Sequence, residues 1–212
     1  MKKEIILKTR SVVMMSAMTA ILMATAACKG TPTTPTTPTT PTTPTSFGIV
    51  VGSFNGVIAY SNGVQDYNSL QSNYYNGVYS GMKWKCLEYV CRYYLQIYGM
   101  DDIYHVLGSA LPFNSNASVA GLLSYPNGGS VAPQVGDIIC SNGGKYCHVA
   151  IVREVGSNYI NVIQQNWSNS ASDNSDTLSR NGNTVNPFDL YPDYPIAGWL
   201  RMPVNSNVRN LR

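Results

Sequence analysis

"GMKWKCLEYVCRYYLQIYG", residues 81–99, is the stretch of the chain that decides its fold. Apolar side chains recur here every three or four positions, which is the spacing of one face of an α-helix. We therefore predict a helix over residues 83–98, with Gly99 at its end as a C-cap. The apolar face of this helix would consist of Trp84, Leu87, Val90, Tyr94 and Ile97.

The pattern changes to that of β-strands in the C-terminal half of the chain. One N-terminal helix followed by a series of antiparallel strands predicts an α+β fold. Residues 47–80 are expected to form loops with brief strands, and a weaker helix is expected near Ser118–Ser124. The predicted strands are "VGDIIC" (135–140), "HVAIVREV" (148–155), "NYINVIQQNW" (158–167) and "IAGWLRM" (196–202), with "SNGGKY" (141–146) as a turn.

The two cysteines of the predicted helix differ in position. Cys86 lies near the N-terminus, where free backbone N–H groups and the helix dipole stabilise an anion and lower the pKa of a thiol. Cys91 lies five residues further on, about 140° around the helix, and gains much less from this effect. Cys86 is therefore the candidate nucleophile, and Cys91 is expected in the core or in a disulfide.

A thiol nucleophile needs a base, and the base needs a group that orients its ring. The chain contains two histidines. His148 begins a strand-like segment and is the candidate base, whereas His105 has no reactive neighbour in sequence and is expected to be a packing or surface residue. Gln164 and Asn166 alternate to the same face of the following strand, so either amide could orient His148.

The first 27 residues have the features of an export signal. A basic start is followed by a mostly apolar run from Ser11 to Leu22 and by small residues that end at Cys28. We predict a lipoprotein-type signal peptide over residues 1–27, with Cys28 as the lipidated first residue of an exported, membrane-anchored protein of the cell envelope or surface. Cleavage near Cys28 without lipidation, which would give a secreted protein, is the alternative.

The formal net charge of +3 depends on this signal peptide, which holds four basic residues and one acidic residue. The rest of the chain is formally neutral, so electrostatics gives no reason to expect nucleic-acid binding. Residues 28–46 are predicted to be the lipidated cysteine and a Thr/Pro-rich spacer, and residues 47–212 a single domain. Proline at every third position from Thr31 to Thr45 favours polyproline II, which at about 3.1 Å per residue spans roughly 45 Å.

Several ordered motifs resemble one enzyme family, and the likeness covers roughly residues 48–202. They are "KWKCLEYVCRYYL", "APQVGDIICSNGG", "HVAIV", "VIQQNW" and "IAGWL". Together they resemble the CHAP family of cysteine, histidine-dependent amidohydrolases and peptidases. The segments "AYSNG", "GVYSGMKWKCLEYVCRYYLQIYG" and "YPNGGSVAPQVGD" resemble in particular the amidase domains of glutathionylspermidine amidases.

The resemblance implies a papain-like fold with Cys86 as the nucleophile and His148 as the base. Where that branch usually has Glu-Gln-Asn, with the Glu orienting the histidine, this chain has Gln164, Gln165 and Asn166. A neutral amide can orient an imidazole but cannot stabilise imidazolium as a carboxylate does. The implied reaction is attack of the Cys86 thiolate on an amide, with the Cys86 N–H and an unidentified upstream donor as oxyanion hole.

We expect no cofactor and no metal ion. Cys140 and Cys147 flank the turn and could pair as a disulfide across the hairpin. A zinc site from Cys140, Cys147 and His148 is disfavoured, because adjacent strand residues point to opposite faces. Some members of the family bind calcium through an acidic loop ahead of the nucleophile, but residues 47–80 contain only Asp66.

Three functions are compatible with these features. The leading hypothesis is an amidase or endopeptidase of the cell envelope that cleaves peptidoglycan, active as a monomer. The second is hydrolysis of a glutathione–polyamine amide, and the third is a catalytically silent envelope-binding protein, suggested by the Gln164 substitution alone. Trp84 and Trp167 could line a substrate groove, although aromatic residues at such positions are more often part of the core.

Overall fold

The computed structural model describes residues 43–101, 121–143, 147–167, 175–188 and 193–203. Within these ranges the chain forms eleven strands and one helix, and no helix is long and apolar enough to cross a lipid bilayer. The elements are β1 (Val50–Phe54), β2 (Val57–Tyr60), β3 (Ser72–Tyr75), β4 (Val78–Met82), α1 (Cys86–Tyr98), β5 (Leu123–Pro126), β6 (Ile138–Ser141), β7 (His148–Val155), β8 (Tyr159–Ile163), β9 (Ser175–Asn181), β10 (Thr184–Val185) and β11 (Ile196–Arg201).

Seven strands form one antiparallel sheet in the order β10-β9-β8-β7-β6-β11-β5. Two hairpins, β1-β2 and β3-β4, form separate two-stranded sheets ahead of the helix. All four strands predicted from the sequence are confirmed, since each coincides with β6, β7, β8 or β11. Alternating or continuous apolar residues are the local pattern that indicates a buried strand.

The helix also forms, but its place in the chain differs from the prediction. Helix α1 begins at Cys86 rather than at residue 83, and four strands precede it, so it is not an N-terminal helix. The early strands were expected only as brief ones within loops, because Gly, Asn and Ser dominate that region. The prediction of a second helix near Ser118–Ser124 is wrong for the part of this segment that the structure describes, because Leu123 and Ser124 belong to β5.

Gly99 ends the helix as predicted. Its φ of 70° is left-handed, and its N–H donates to the carbonyl oxygen of Leu95 at 3.0 Å. No heavy atom lies within 4 Å of the position that a Cβ would occupy. Replacing Gly99 by alanine should therefore lower the free energy of unfolding by about 1 kcal/mol through backbone strain alone. Urea unfolding measures this loss, and an unchanged midpoint would contradict it.

Two apolar clusters lie on opposite faces of the sheet. Along β7, Val149 and Ile151 pack toward α1, whereas Ala150 and Val152 pack toward the other face. The helix-side cluster includes Tyr89, Val90, Cys91, Tyr93, Tyr94, Ile138, Cys140, Ile163 and Leu200, and the other includes Ile139, Ile160, Val162, Trp167, Leu178, Phe188 and Trp199. The start of β7 is thereby held rigidly between the helix and the second cluster.

The C-terminal end of the expected spacer contacts the domain. Ser46 donates a hydrogen bond from Oγ to the carbonyl oxygen of Gly63 at 3.2 Å, and the N–H of Phe47 donates to Pro44 at 3.0 Å. These contacts begin a few residues before the expected boundary at residue 47. The remainder of the expected spacer, the expected signal peptide and Cys28 lie outside the described residues.

Candidate active site

The start of helix α1 lies close to the start of strand β7. Helix α1 packs against β7, and Cys86 and His148 are the starting residues of these two elements. The backbone N–H of Val149, the residue next to His148, lies near the Cys86 thiol and lowers its pKa. The start of β7 therefore lies against the thiol that the sequence selected as nucleophile, and the candidate base His148 is the neighbouring residue.

The pKa of Cys86 is raised above its usual value, contrary to the prediction from helix position. Burial is the largest cause, because it disfavours the thiolate. The N–H groups of Val149, Leu87 and Cys86 itself, together with the positive charge of Lys85, lower the pKa and offset part of this effect. The N-terminal position of the thiol acts as expected, but desolvation outweighs it.

His148 is held by Gln164. Nε2 of the His148 ring lies 2.9 Å from Oε1 of Gln164. A carbonyl oxygen only accepts, so Nε2 carries the ring proton and Nδ1 keeps the lone pair that a base needs. Gln164 is fully buried, and its Nε2 is a buried donor without a hydrogen-bond acceptor among the described residues.

Aromatic side chains enclose the His148 ring. The ring centroid of Trp167 lies 4.3 Å away and that of Phe188 lies 5.9 Å away, the latter edge to face. Burial among these groups lowers the pKa of His148 to about 4, and the hydrogen bond that the ring donates to Gln164 opposes only part of this shift. Both shifts favour the uncharged thiol and the uncharged imidazole over a thiolate–imidazolium pair.

The depressed pKa of His148 makes stability depend on pH. In the unfolded chain a histidine has a pKa of about 6.5, so between about pH 6.5 and about pH 4 the unfolded state binds a proton that the folded state does not. The free energy of unfolding should fall by roughly 3 kcal/mol as pH is lowered through this window. Urea unfolding at pH 7 and pH 4 measures the loss. His148→Gln should remove it, and equal losses in wild type and variant would contradict the prediction.

The segment after β8 does not continue as a strand. Strand β8 ends at Ile163, and Asn166 has a left-handed φ of 57°. Asn166 therefore does not share a face with Gln164, as an extended strand would require. Its Oδ1 accepts from Nδ2 of Asn62 at 2.7 Å and from the N–H of Asp66 at 2.8 Å. Of the two amides left open by the sequence, Gln164 is the one that hydrogen-bonds His148.

A buried polar network behind the site was not predicted. Glu88 and Arg92 form an ion pair with 2.6 Å between Oε1 and Nε, and the amide of Gln165 bonds to both side chains. Glu88 is 0% exposed. The sequence contains one indication of this network, because a Glu and an Arg lie four residues apart on a helix that is otherwise buried. Pairs at this spacing usually lie on a solvated face, so the spacing alone does not indicate a buried network.

Cys91 and Cys140 are not part of the candidate site. Cys91 is a buried free thiol in the helix-side cluster, as expected for a core residue. Cys140 is also a buried free thiol, so the disulfide between Cys140 and Cys147 is not formed. Cys140 points to the helix-side face from within β6, between apolar neighbours. Among the described residues, no group of three or more His, Cys, Asp or Glu side chains is arranged to hold a metal ion.

The two tryptophans near the site differ in role. Trp167 is 2% exposed and belongs to the core, which agrees with the alternative considered for it. Trp84 is half-buried and stacks on Tyr60 with 4.1 Å between ring centroids. That Trp84 lines a substrate groove stays a prediction. His105 lies outside the described residues.

Parts of this chain are similar to known proteins. Residues 76–166 match the sequence model of the CHAP domain, a shorter span than the resemblance suggested, and Cys86, His148 and Gln164 all fall within it. The chain is 27% identical over 183 residues to the bifunctional glutathionylspermidine synthetase/amidase of Escherichia coli (strain K12). The protein of the same name from Shigella flexneri gives the same values. Each alignment covers 73% of this chain but 29% of the relative, so the chain spans less than a third of the length of the curated relatives it matches.

Proposed function

We propose that this chain, with a CHAP domain at residues 76–166, is a thiol-dependent amide hydrolase. Cys86 is the nucleophile, His148 is the general base and acid, and Gln164 orients His148. The observation that carries the proposal is the 2.9 Å contact between Nε2 of His148 and Oε1 of Gln164. This contact leaves Nδ1 as the basic nitrogen of the His148 ring. The next residue, Val149, carries the N–H that lowers the pKa of the Cys86 thiol.

The reaction starts from an uncharged pair. As the sulfur of Cys86 attacks the amide carbonyl carbon, its proton passes to His148, so that thiolate and imidazolium form only along the reaction path. His148 then donates this proton to the leaving amine, and a thioester on Cys86 remains. A water molecule activated by His148 hydrolyses the thioester and restores the thiol. The backbone N–H of Cys86 is one oxyanion donor; the upstream donor is not assigned.

The proposed substrate is peptidoglycan, cleaved as an amidase or an endopeptidase. This choice rests on the sequence: an export signal over residues 1–27, a lipidated Cys28 and a spacer that reaches roughly 45 Å from a membrane. These features suit a monomer that acts on the cell envelope near its own anchor. Trp84, half-buried two residues before Cys86, is available to contact the substrate.

A second candidate is supported by the relatives. Their name includes a glutathionylspermidine amidase activity, so an amide between glutathione and a polyamine is the alternative substrate. The export signal argues against this substrate, because such conjugates form in the cytoplasm with ATP.

One experiment separates these functions. The mature domain is incubated with purified peptidoglycan and, separately, with glutathionylspermidine, and a Cys86→Ala variant serves as the control. New amines released from peptidoglycan by the wild type alone would support the leading proposal, and turnover of glutathionylspermidine alone would support the second. Absence of turnover of both substrates would instead favour a catalytically silent, envelope-binding protein.

A further inference from the structure

We propose that Gln165 is a positioning residue, which holds the helix of the nucleophile and the partner of the histidine in one fixed arrangement. This inference rests on the function proposed above. Gln165 is 2% exposed and lies between Gln164, which bonds His148, and Asn166, which bonds Asn62. It acts through these neighbours and through the start of α1.

The amide of Gln165 uses all of its hydrogen-bonding capacity. Its Oε1 accepts from the N–H of Tyr60 at 2.8 Å and from Nη2 of Arg92 at 3.2 Å. Its Nε2 donates to the carbonyl oxygen of Lys85 at 3.2 Å and to Oε2 of Glu88 at 2.9 Å. A saturated amide has one favourable orientation, because flipping it would turn donors toward donors and acceptors toward acceptors.

The partners of Gln165 are themselves fixed. Glu88, in the first turn of α1, accepts at Oε1 from Nε of Arg92 at 2.6 Å, from Nδ2 of Asn73 at 2.8 Å and from Oγ of Ser80 at 3.1 Å. A buried carboxylate bonded in this way has little rotational freedom. Gln165 is therefore tied to a rigid group that also joins α1 to the β3-β4 hairpin.

Three consecutive side chains bind three different parts of the site. Gln164 bonds His148, Gln165 bonds the carbonyl oxygen of Lys85 next to Cys86, and Asn166 bonds Asn62. Because these residues share one short stretch of backbone, releasing Gln165 would shift the acceptor of His148 relative to the thiol. A displacement of about 1 Å in a catalytic site can slow a reaction about 100-fold.

The test uses Gln165→Met, which keeps the length of the side chain but makes none of the four hydrogen bonds. We expect kcat to fall about 100-fold while KM changes less than about threefold, since substrate contacts are kept. The Nε2 proton of His148, followed by NMR, should exchange with solvent at least about tenfold faster, because its acceptor is no longer held.

Asp137→Asn is the matched control. Asp137, just before β6, forms an ion pair with 2.7 Å between its Oδ2 and Nη2 of Arg201, and its carbonyl oxygen accepts from the N–H of Val152, four residues along β7 from His148. The control variant should lose stability in urea but keep wild-type kcat and His148 proton exchange. If Gln165→Met lost no more kcat than this control and left the exchange rate of His148 unchanged, the positioning role would be overturned.

A rescue distinguishes positioning from general destabilisation. Gln165→Glu alone places a second carboxylate against Glu88 and should cost at least as much kcat as Gln165→Met. Adding Glu88→Gln to this variant restores one negative charge beside Arg92, and kcat should rise at least about tenfold. If kcat did not recover, the polar network would not be the cause of the loss. If the wild type hydrolysed neither substrate, the proposed function would fail, while the exchange rate of His148 would still decide the role of Gln165.

Discussion

Replacing His148 by glutamine is expected to slow amide hydrolysis about 10⁴-fold or more, with little change in KM. The glutamine side chain can still reach Gln164, so the surroundings of the site should be preserved. It cannot take the proton of Cys86, and burial keeps the pKa of that thiol above its usual value. At neutral pH the sulfur would stay protonated and hardly nucleophilic.

The measurement is kcat on whichever amide the wild type hydrolyses, together with intact-mass detection of the acyl-enzyme. Cys86→Ala is the matched control and should lose activity to a similar extent. The double variant should be no slower than the slower single variant, because nucleophile and base act as one unit. Activity of His148→Gln within about tenfold of wild type would exclude His148 as the base.

Replacing Gln164 by leucine is expected to lower kcat roughly 10³-fold. Gln164 supplies the acceptor for Nε2 of His148, and without it the ring loses its preferred tautomer. Loss of the orienting carboxylate in a Ser-His-Asp triad costs about 10⁴-fold, and a neutral amide that contributes no charge stabilisation should matter somewhat less. The measurement is kcat at neutral pH, with urea unfolding to follow stability.

Gln164→Glu is the informative companion variant. A carboxylate in this place would raise the pKa of His148 from about 4, since imidazolium would gain a counter-charge. It would also remove the buried Nε2 donor that has no acceptor. The acidic limb of the profile of kcat/KM against pH should move to higher pH. Cys86 should react faster with iodoacetamide at mildly acidic pH. An unchanged pKa of His148 would contradict this account.

The predicted elements were those that local periodicity encodes. The apolar spacing of residues 81–99 and the end of the helix at Gly99 both appear in the structure, as do the four strands read from their apolar runs. The early strands were harder to predict because Gly, Asn and Ser interrupt their pattern. The order of the helix among the strands was wrong for the same reason.

The site was predicted in part. Cys86 and His148 could be selected because each stands at the start of an element with a strong pattern. The choice between Gln164 and Asn166 could not be made, because it depends on the left-handed backbone of Asn166, which ends the strand alternation. Gln165 was not identified as a contributor, because its partners lie far away in sequence, up to 105 residues at Tyr60.

The sequence by itself therefore determined the candidate pair, Cys86 and His148, and the elements on which they stand, since both depend on residue types and on short-range spacing. Only the tertiary structure decided the electrostatic state of the pair. Helix position alone predicts a lowered thiol pKa. In the structure, however, the pKa of Cys86 is raised and the pKa of His148 is lowered. The physical reason is desolvation, which depends on how completely the packed elements exclude water and not on the order of residues along the chain.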